Sequence, residues 1–375
     1  MFEFTKEQEM LRSMVREFAD TELAPKVLEL DKKEEFPFEM VKKLGELGLI
    51  GMALPKELGG AGIGYLAATI AIEELARVYP SIAFFIMVSQ VPMYAIEHFG
   101  TEEQKKKYLP PVIKGEKVIC IAATEPTGGS DLANLGTEAV ADENGYTING
   151  RKVWITNGGV ADYVVLLAKT GERASVFLVE KGTPGFTVGR RENEMGFKSL
   201  HVNELVFNNC KVPKENLIGK EGGGLGVAMT AISHNRPSIG AVGLGIARGA
   251  FEIALKYAKE RVLYGRPISK LQTIQFMLVD METEIEAAKW LIYYPRAAMD
   301  RGKSPREIGK HLSRAKVVGT EAALNVTKEA IEILGAYGVS TEYHLGRLLN
   351  DAMELFAAAG TNQILKVIQA GEILK

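Results

Sequence analysis

The spacing of apolar and polar positions changes twice along the chain. Through the first 115 residues the apolar positions recur at helical intervals. Thr5-x-x-Gln8 makes a capping box ahead of Leu11, Met14, Val15 and Phe18, an i, i+3, i+4, i+7 stripe. Met40, Val41, Leu44 and Leu47 repeat it after Pro37, and Gly59-Gly60-Ala61-Gly62 breaks it before a helix expected from about Leu66 to Val78. Between about 117 and 213 the period shortens to β-rich runs: KVICIAAT, YTING/RKVWIT, YVVLLAKT, SVFLVEK, FTVGRR and NELVFNNCKVP. Asn149-Gly150 between two such runs predicts a hairpin. Short strands without intervening helices predict an antiparallel barrel or sandwich. After GKEGGGLG (219–226) the helical period returns, with helices expected near 226–260, 270–300, 305–335 and 345–373.

This order predicts an α+β chain of three parts: an N-terminal helical domain over 1–116, a middle β-barrel or sandwich over 117–222, and a C-terminal helical bundle over 223–375. The length of 375 residues agrees, because it exceeds what one hydrophobic core usually supports. A net charge of -2 argues against a nucleic-acid footprint. Two cysteines, Cys120 and Cys210, make a disulfide framework improbable and point to a reducing cytoplasm. The N-terminal MFEFTKEQEM lacks the features of a secretory or transit segment. From Val78 to Ile96 no charged residue occurs, but Pro80, Ser81, Ser89, Gln90 and Pro92 dilute the stretch, so a buried helix is expected rather than a membrane span.

Most motif searches exclude chemistry. Gly222-Gly223-Gly224 and Gly240/Gly243/Gly245/Gly249 form neither a dinucleotide nor a P-loop fingerprint, and read as a linker and as close helix packing. Five histidines without paired spacing give no metal site, and no Cys-His or G-x-S-x-G arrangement supplies a nucleophile. Two stretches remain. Thr124-Glu125-Pro126-Thr127-Gly128-Gly129-Ser130-Asp131 leaves a strand through a glycine turn whose N–H groups can hold a polar ligand. In Trp154-Ile155-Thr156, alternation puts the indole and the hydroxyl on one face, which suits a planar heterocycle such as a flavin or simply a core tryptophan beside a loop.

Together with the order of regions, these stretches resemble the acyl-CoA dehydrogenases over essentially the whole chain. The similarity is carried by ATEPTGGSDL (123–132), KVWITNGG (152–159), YAKERVLYGRPI (257–268), EILGAYGVSTEY (332–343) and AGTNQI (359–364). The resemblance implies helical, β and four-helix-bundle domains in that order, FAD as cofactor, an acyl-CoA substrate, an electron-transfer flavoprotein as acceptor, and a homotetramer built as a dimer of dimers. By motif position, Thr124 and Ser130 would contact flavin or substrate, with Trp154 and Ile155 at the flavin face and Thr156 donating near N5. Arg261, Tyr264 and Gln272 would reach the pyrophosphate and adenine. Glu332, Gly335 and Ala336 would serve FAD from an adjacent subunit, with Thr361 and Gln363 closing the adenosine side. Arg236 falls at the CoA-contacting position, where a planar, permanently charged fork suits phosphate.

The resemblance also implies a catalytic glutamate immediately before Gly360-Thr361. Here that residue is Ala359, and the family's other base position is Asn235. Neither accepts a proton near neutral pH, although the N–H of residue 359 remains to polarise a thioester. A missing base is worth about 10²–10⁴ in rate. Three accounts follow: a natural variant with its base elsewhere and an atypical, for example cyclic, acyl group; a substrate whose own C–C or C–S cleavage supplies the carbanion; or a substitution made to trap a ligand. His234 and Tyr94 are weak substitutes. A flavin monooxygenase or a non-catalytic flavin- and CoA-binding homologue are the further alternatives. The substrate side is expected to include Ser130, Asn235, Arg236, Ala359 and Gly360. Its far wall would come from Phe84, Met87, Gln90 and Val91, which favour a neutral acyl group over a dicarboxylic one.

Overall fold

A computed structural model describes residues 4–132 and 134–375. The Thr5–Gln8 capping box opens α1 (Lys6–Phe18), with the Thr5 hydroxyl accepting from Gln8 N. α2 (Val27–Lys33), α3 (Phe38–Glu46) and α4 (Tyr65–Val78) follow. The uncharged stretch forms α5 (Pro80–Phe99), and Thr101 with Gln104 makes a second capping box for α6 (Glu102–Ile113). α5 has the length and hydropathy of a membrane span, as does the later helix Gly224–Glu260, but both are mostly buried inside the fold.

The strands are β1 (Ile119–Ala122), β2 (Glu138–Asp142), β3 (Gly145–Thr156), β4 (Tyr163–Thr170), β5 (Arg173–Glu180), β6 (Phe186–Arg191), β7 (Val202–Pro213) and β8 (Leu217–Ile218). They pair in the order β6-β7-β3-β2-β4-β5-β8, with β1 joined to β4. Pairing is antiparallel except for β1 beside β4 and one β2/β4 pair, Glu138 with Lys169.

Asn149-Gly150 is not a hairpin turn. β3 runs straight through it, with a register irregularity against β7 between Ile148 and Gly150. The hairpin lies one step earlier, where Asp142 pairs with Gly145 and its carboxylate accepts from Asn144 N at 3.0 Å. Gly150 is needed for a different reason: φ is 151°, and a Cβ there would lie 2.5 Å from Thr137 Oγ1.

The helical region returns with α7 (Gly224–Glu260), then a two-residue ladder of β9 (Val262–Leu263) and β10 (Arg266–Pro267), α8 (Gln272–Asp300) and α9 (Gly309–Leu334). The last expected helix is two: α10 (Leu345–Glu354) and α11 (Asn362–Ile373). The break at 355–361 is the Ala-Gly-Thr corner. The α7 glycines are packing positions. A Cβ on Gly240 or Gly243 would run into the carbonyl oxygen of Ala315 or Gly319 on α9, and one on Gly249 into that of Arg77 on α4.

Candidate active site

Three structural joins assemble the motif residues. The first ties the 124–137 loop to β3. Thr124 O accepts from Val153 N at 3.0 Å. Glu125, 5% exposed, accepts from Lys152 Nζ at 2.7 Å, from Gly136 N at 2.5 Å and from Thr137 N at 2.9 Å. Burial works to raise the Glu125 carboxyl, but Lys152 and the two N–H groups outweigh it and hold it below its usual range. Burial draws Lys152 down to about 8 against that pairing. The loop carrying Thr124 and exposed Ser130 is thereby fixed against the strand end carrying Trp154.

That strand end is unusual. Trp154 is 58% exposed with φ 58°, Ile155 is buried, and Thr156 is half-buried. The register against β7 shifts between Lys152 and Ile155, a bulge that turns the indole outward. A bulky residue with positive φ is strained, and such strain collects at ligand sites. Asn157 next to it is fully buried, yet both side-chain polar atoms lack partners among the described residues.

The second join is the corner at 355–362. Ala359 has φ 48° and Gly360 φ 97°, so the turn enters the left-handed region on an alanine. Lys316 of α9 lies beneath it with no exposure, donating to Phe356 O at 2.9 Å, Gly360 O at 3.2 Å and Asn362 Oδ1 at 2.7 Å. Thr361 caps α11 by accepting from Ile364 N, while Gln363 is exposed. Burial, then the nearby Arg236, brings Lys316 down to about 7. Arg236 is 4% exposed and, among the described residues, donates to Ser313 Oγ alone and keeps Nε unpartnered; burial draws it to about 10. Asn235 holds Met87 O at 2.5 Å and leaves Oδ1 free, and Ser238 donates to Gln90 Oε1 at 3.1 Å. These bonds cross-link α7 to α5, where Phe84, Met87 and Val91 are buried. Phe84 stacks on Phe197, with ring centroids 4.3 Å apart.

The third join lies in the hairpin region. The Arg261 guanidinium sits 5.7 Å from the Tyr337 ring, bringing the 261–272 and 332–336 motifs together. Tyr264 is 89% exposed with φ 50°, and Val262, Leu263, Phe276 and Val279 of the same stretch of chain are exposed too. Gln272, Glu332, Gly335 and Ala336 are exposed as well, and Gly335 ends α9 with φ 60°. Among the described residues no hydrogen bond or ring contact joins this group to Trp154 or Ala359 within one chain.

Lys316, the Glu125–Lys152 pair and a carboxyl cluster escaped sequence reasoning. Lys316 had a visible signal, a lysine in the buried stripe Leu312, Lys316, Thr320, Ala323 of α9. The cluster involves Glu354, the last residue of α10, which accepts from Gly196 N at 2.5 Å. Burial pushes Glu354 up; it pushes Glu194 to about 7, with Glu354 adding to that rise. His234 and Tyr94 stack at 3.7 Å in a cavity whose lining does not include Ala359, Gly360, Trp154 or Thr156.

Comparison with known proteins matches the chain to three family descriptions: Acyl-CoA dehydrogenase, N-terminal domain, over residues 5–116; middle domain, over 120–210; and C-terminal domain, over 222–374. It is 42% identical over 370 residues to an acyl-CoA dehydrogenase of Bacillus subtilis, covering 97% of each chain. It is 40% identical over 380 residues to a short-chain specific acyl-CoA dehydrogenase of Clostridium acetobutylicum, covering both in full. The structure of butyryl-CoA dehydrogenase from Megasphaera elsdenii superimposes with a TM-score of 0.96 at 36% identity over the full length of both.

Proposed function

The chain belongs to the acyl-CoA dehydrogenase family, and from that premise we propose that it oxidises the CH–CH bond of a short, neutral acyl-CoA with bound FAD and a proton acceptor outside position 359. The proposal rests on the outward, strained Trp154 beside Thr156, together with the 355–362 turn that Lys316 clamps. The residues present suit FAD. An exposed indole offers a ring face, buried Asn157 has unspent polar atoms, and Arg261 offers a permanent charge. Thr124, Ser130, Trp154, Ile155 and Thr156 would hold the flavin end, and Thr361 and Gln363 the adenosine side. Arg261, Tyr264, Gln272, Glu332, Gly335 and Ala336 would serve a second subunit's cofactor, which accounts for two site groups unlinked within one chain and for the apolar surface around Tyr264. The assembly is then a homotetramer, a dimer of dimers, in the cytoplasm, passing electrons to an electron-transfer flavoprotein.

When bound, FAD accepts the hydride from the β-carbon. The chain's own part is to bind the thioester through Ser130 and Arg236, polarise its carbonyl with the Ala359 N–H, and bound the acyl group with Phe84, Met87, Gln90 and Val91. A preorganised N–H aimed at a developing enolate oxygen is a large catalytic contribution. Asn235 and Ala359 hold no base, so the α-proton goes elsewhere. Glu354 and Glu194 are the first groups to test, since a carboxyl raised towards neutrality suits a general base.

The deciding experiment is anaerobic flavin bleaching with linear, branched and cyclic acyl-CoAs. With a proton acceptor outside position 359, the native protein is expected to bleach with a saturated acyl-CoA, and an Ala359→Glu rate higher by about 10²-fold, the lower end of a positioned base's contribution, would show that no such acceptor works. If the native protein already bleaches as fast as Ala359→Glu, a base is at work, and loss of that rate in Glu354→Gln would identify it. A colourless protein that ignores added FAD would refute the proposal.

A further inference from the structure

The 50–54 segment, α4, α5, α7 and α8 surround a cavity that shares Gln90 with the acyl wall but lies away from Ala359, Gly360, Trp154 and Thr156. Arg296 of α8 reaches into it, 2% exposed. Among the described residues its guanidinium meets neutral acceptors, His234 O at 3.1 Å, Met299 Sδ at 3.8 Å and Ser238 Oγ, and lies 5.9 Å from the centre of the Tyr65 ring. Its Nε–H has no partner, and among the described residues no carboxylate lies within ion-pair distance of it. Asp300, one turn along α8, spends both oxygens on α4, accepting from Tyr65 N at 2.6 Å and Leu66 N at 3.0 Å. A buried charge in this state is costly unless something compensates it.

The other polar groups of the cavity include donors without acceptors. His234 is 6% exposed with both ring nitrogens unpartnered. The hydroxyls of half-buried Tyr65 and of buried Tyr94 bond to no other group of the chain among the described residues. Glu97 also lines the cavity; burial pushes it up to about 7, its neighbour at 3.4 Å is His98, which burial keeps towards the neutral form, and it makes no ion pair with Arg296 among the described residues. About 30 Å³ is open to the centres of water-sized groups, more than a single water requires.

We propose that this cavity is a binding site for one small monovalent anion, of formate or halide size, held by the Arg296 Nε–H, the Tyr65 and Tyr94 hydroxyls and a His234 N–H. The anion would tie α4, α5, α7 and α8 together. It would also sit one residue from Asn235, whose amide holds Met87 of the acyl wall.

Purified holoprotein titrated with sodium formate or sodium bromide, against gluconate at equal ionic strength, gives the test. The expected result is a saturable rise in melting temperature with either small ion and none with gluconate, which is too large to enter. The Tyr65→Phe/Tyr94→Phe double variant keeps the cavity's shape and should weaken the apparent affinity by about tenfold or more. Arg296→Met should abolish the response, and the tyrosine variant decides the matter if that protein does not fold. Bromide-soaked crystals should show an anomalous peak within hydrogen-bond reach of Arg296 Nε. Comparing the two ions separates a carboxylate site from a general halide site. An unsaturable rise identical in native and tyrosine variants, or only water beside Arg296, overturns the proposal.

Discussion

The α7–α9 seam and the 355–362 corner share α9, yet they are built on opposite terms. At the seam, backbone meets backbone: Gly240 and Gly243 lie against Ala315 and Gly319 with no room for a methyl group. At the corner, an alanine and a glycine take left-handed backbone while three acceptors are served by one buried lysine. Close packing fixes the first through many small contacts, each replaceable in kind. The second depends on a single side chain. A change at the seam should therefore cost stability first, and a change at the corner should cost function first.

The largest expected effect breaks the seam. Gly243→Ala forces α7 away from α9, and overpacking of this kind costs about 1–3 kcal/mol or more. Because the clash is with a carbonyl that cannot rotate aside, the upper end is expected, with a drop of several degrees in melting temperature. Calorimetry showing an unchanged midpoint would mean that the helices are less closely locked than their glycines indicate.

Next comes the corner. Lys316→Met keeps the length of the side chain but leaves the carbonyls of Phe356 and Gly360 and the Asn362 amide oxygen unserved. Each unsatisfied buried group costs about 1–3 kcal/mol, partly offset by removing a buried charge. Turnover should fall by about tenfold or more, because a displaced Ala359 N–H would lose the contact with the thioester proposed for it. Steady-state rates with acyl-CoA retained in binding assays separate this from global loss. If the melting temperature falls while the rate holds, the turn does not need Lys316 for its shape.

The seam was legible in the sequence and the corner only half so. Capping boxes at Thr5 and Thr101, the helical period and the closely spaced glycines of α7 are local signals, and local signals survive into the fold. Asn149-Gly150 misled because the same dipeptide that favours a turn also permits a bulge. Which one forms depends on Thr137 approaching from a distant strand segment. The Ala359 position was visible as a motif departure. Its clamp was not, since Lys316 acts across 40–46 residues of chain. The Arg296 chamber joins four elements, and no spacing in one segment announces it.

A pH titration sharpens the comparison. The folded-state value of Lys316 is about 7, well below an ordinary lysine near 10.4. Between these values the unfolded chain binds the extra proton, so stability rises with pH across about 7 to 10; below 7 the cost of burying the cation is present in full. The stability of the native protein relative to Lys316→Met should therefore rise across this window, by at most about 1.4 kcal/mol per pH unit. Lys152 also has a lowered value, so only the difference between the two proteins reports on Lys316. A constant difference from pH 6 to 9 would show that Lys316 titrates as an ordinary lysine.

The smallest expected effect is at the alanine itself. Ala359→Gly removes a methyl from a residue at φ 48°, relieving a left-handed strain of about 1–2 kcal/mol. Glycine also gives the unfolded chain more freedom, which disfavours folding by about 0.4–1 kcal/mol. The two nearly cancel, so melting should shift by no more than a degree or two. Activity should stay within about threefold, since the N–H proposed to meet the thioester and the Lys316 clamp are both intact. Measured beside Lys316→Met, this variant asks whether the corner is held from beneath or by its own side chain. A large loss of turnover in Ala359→Gly would assign the methyl a contact with the acyl group, and the corner would then depend on its own side chain as well as on the lysine below it.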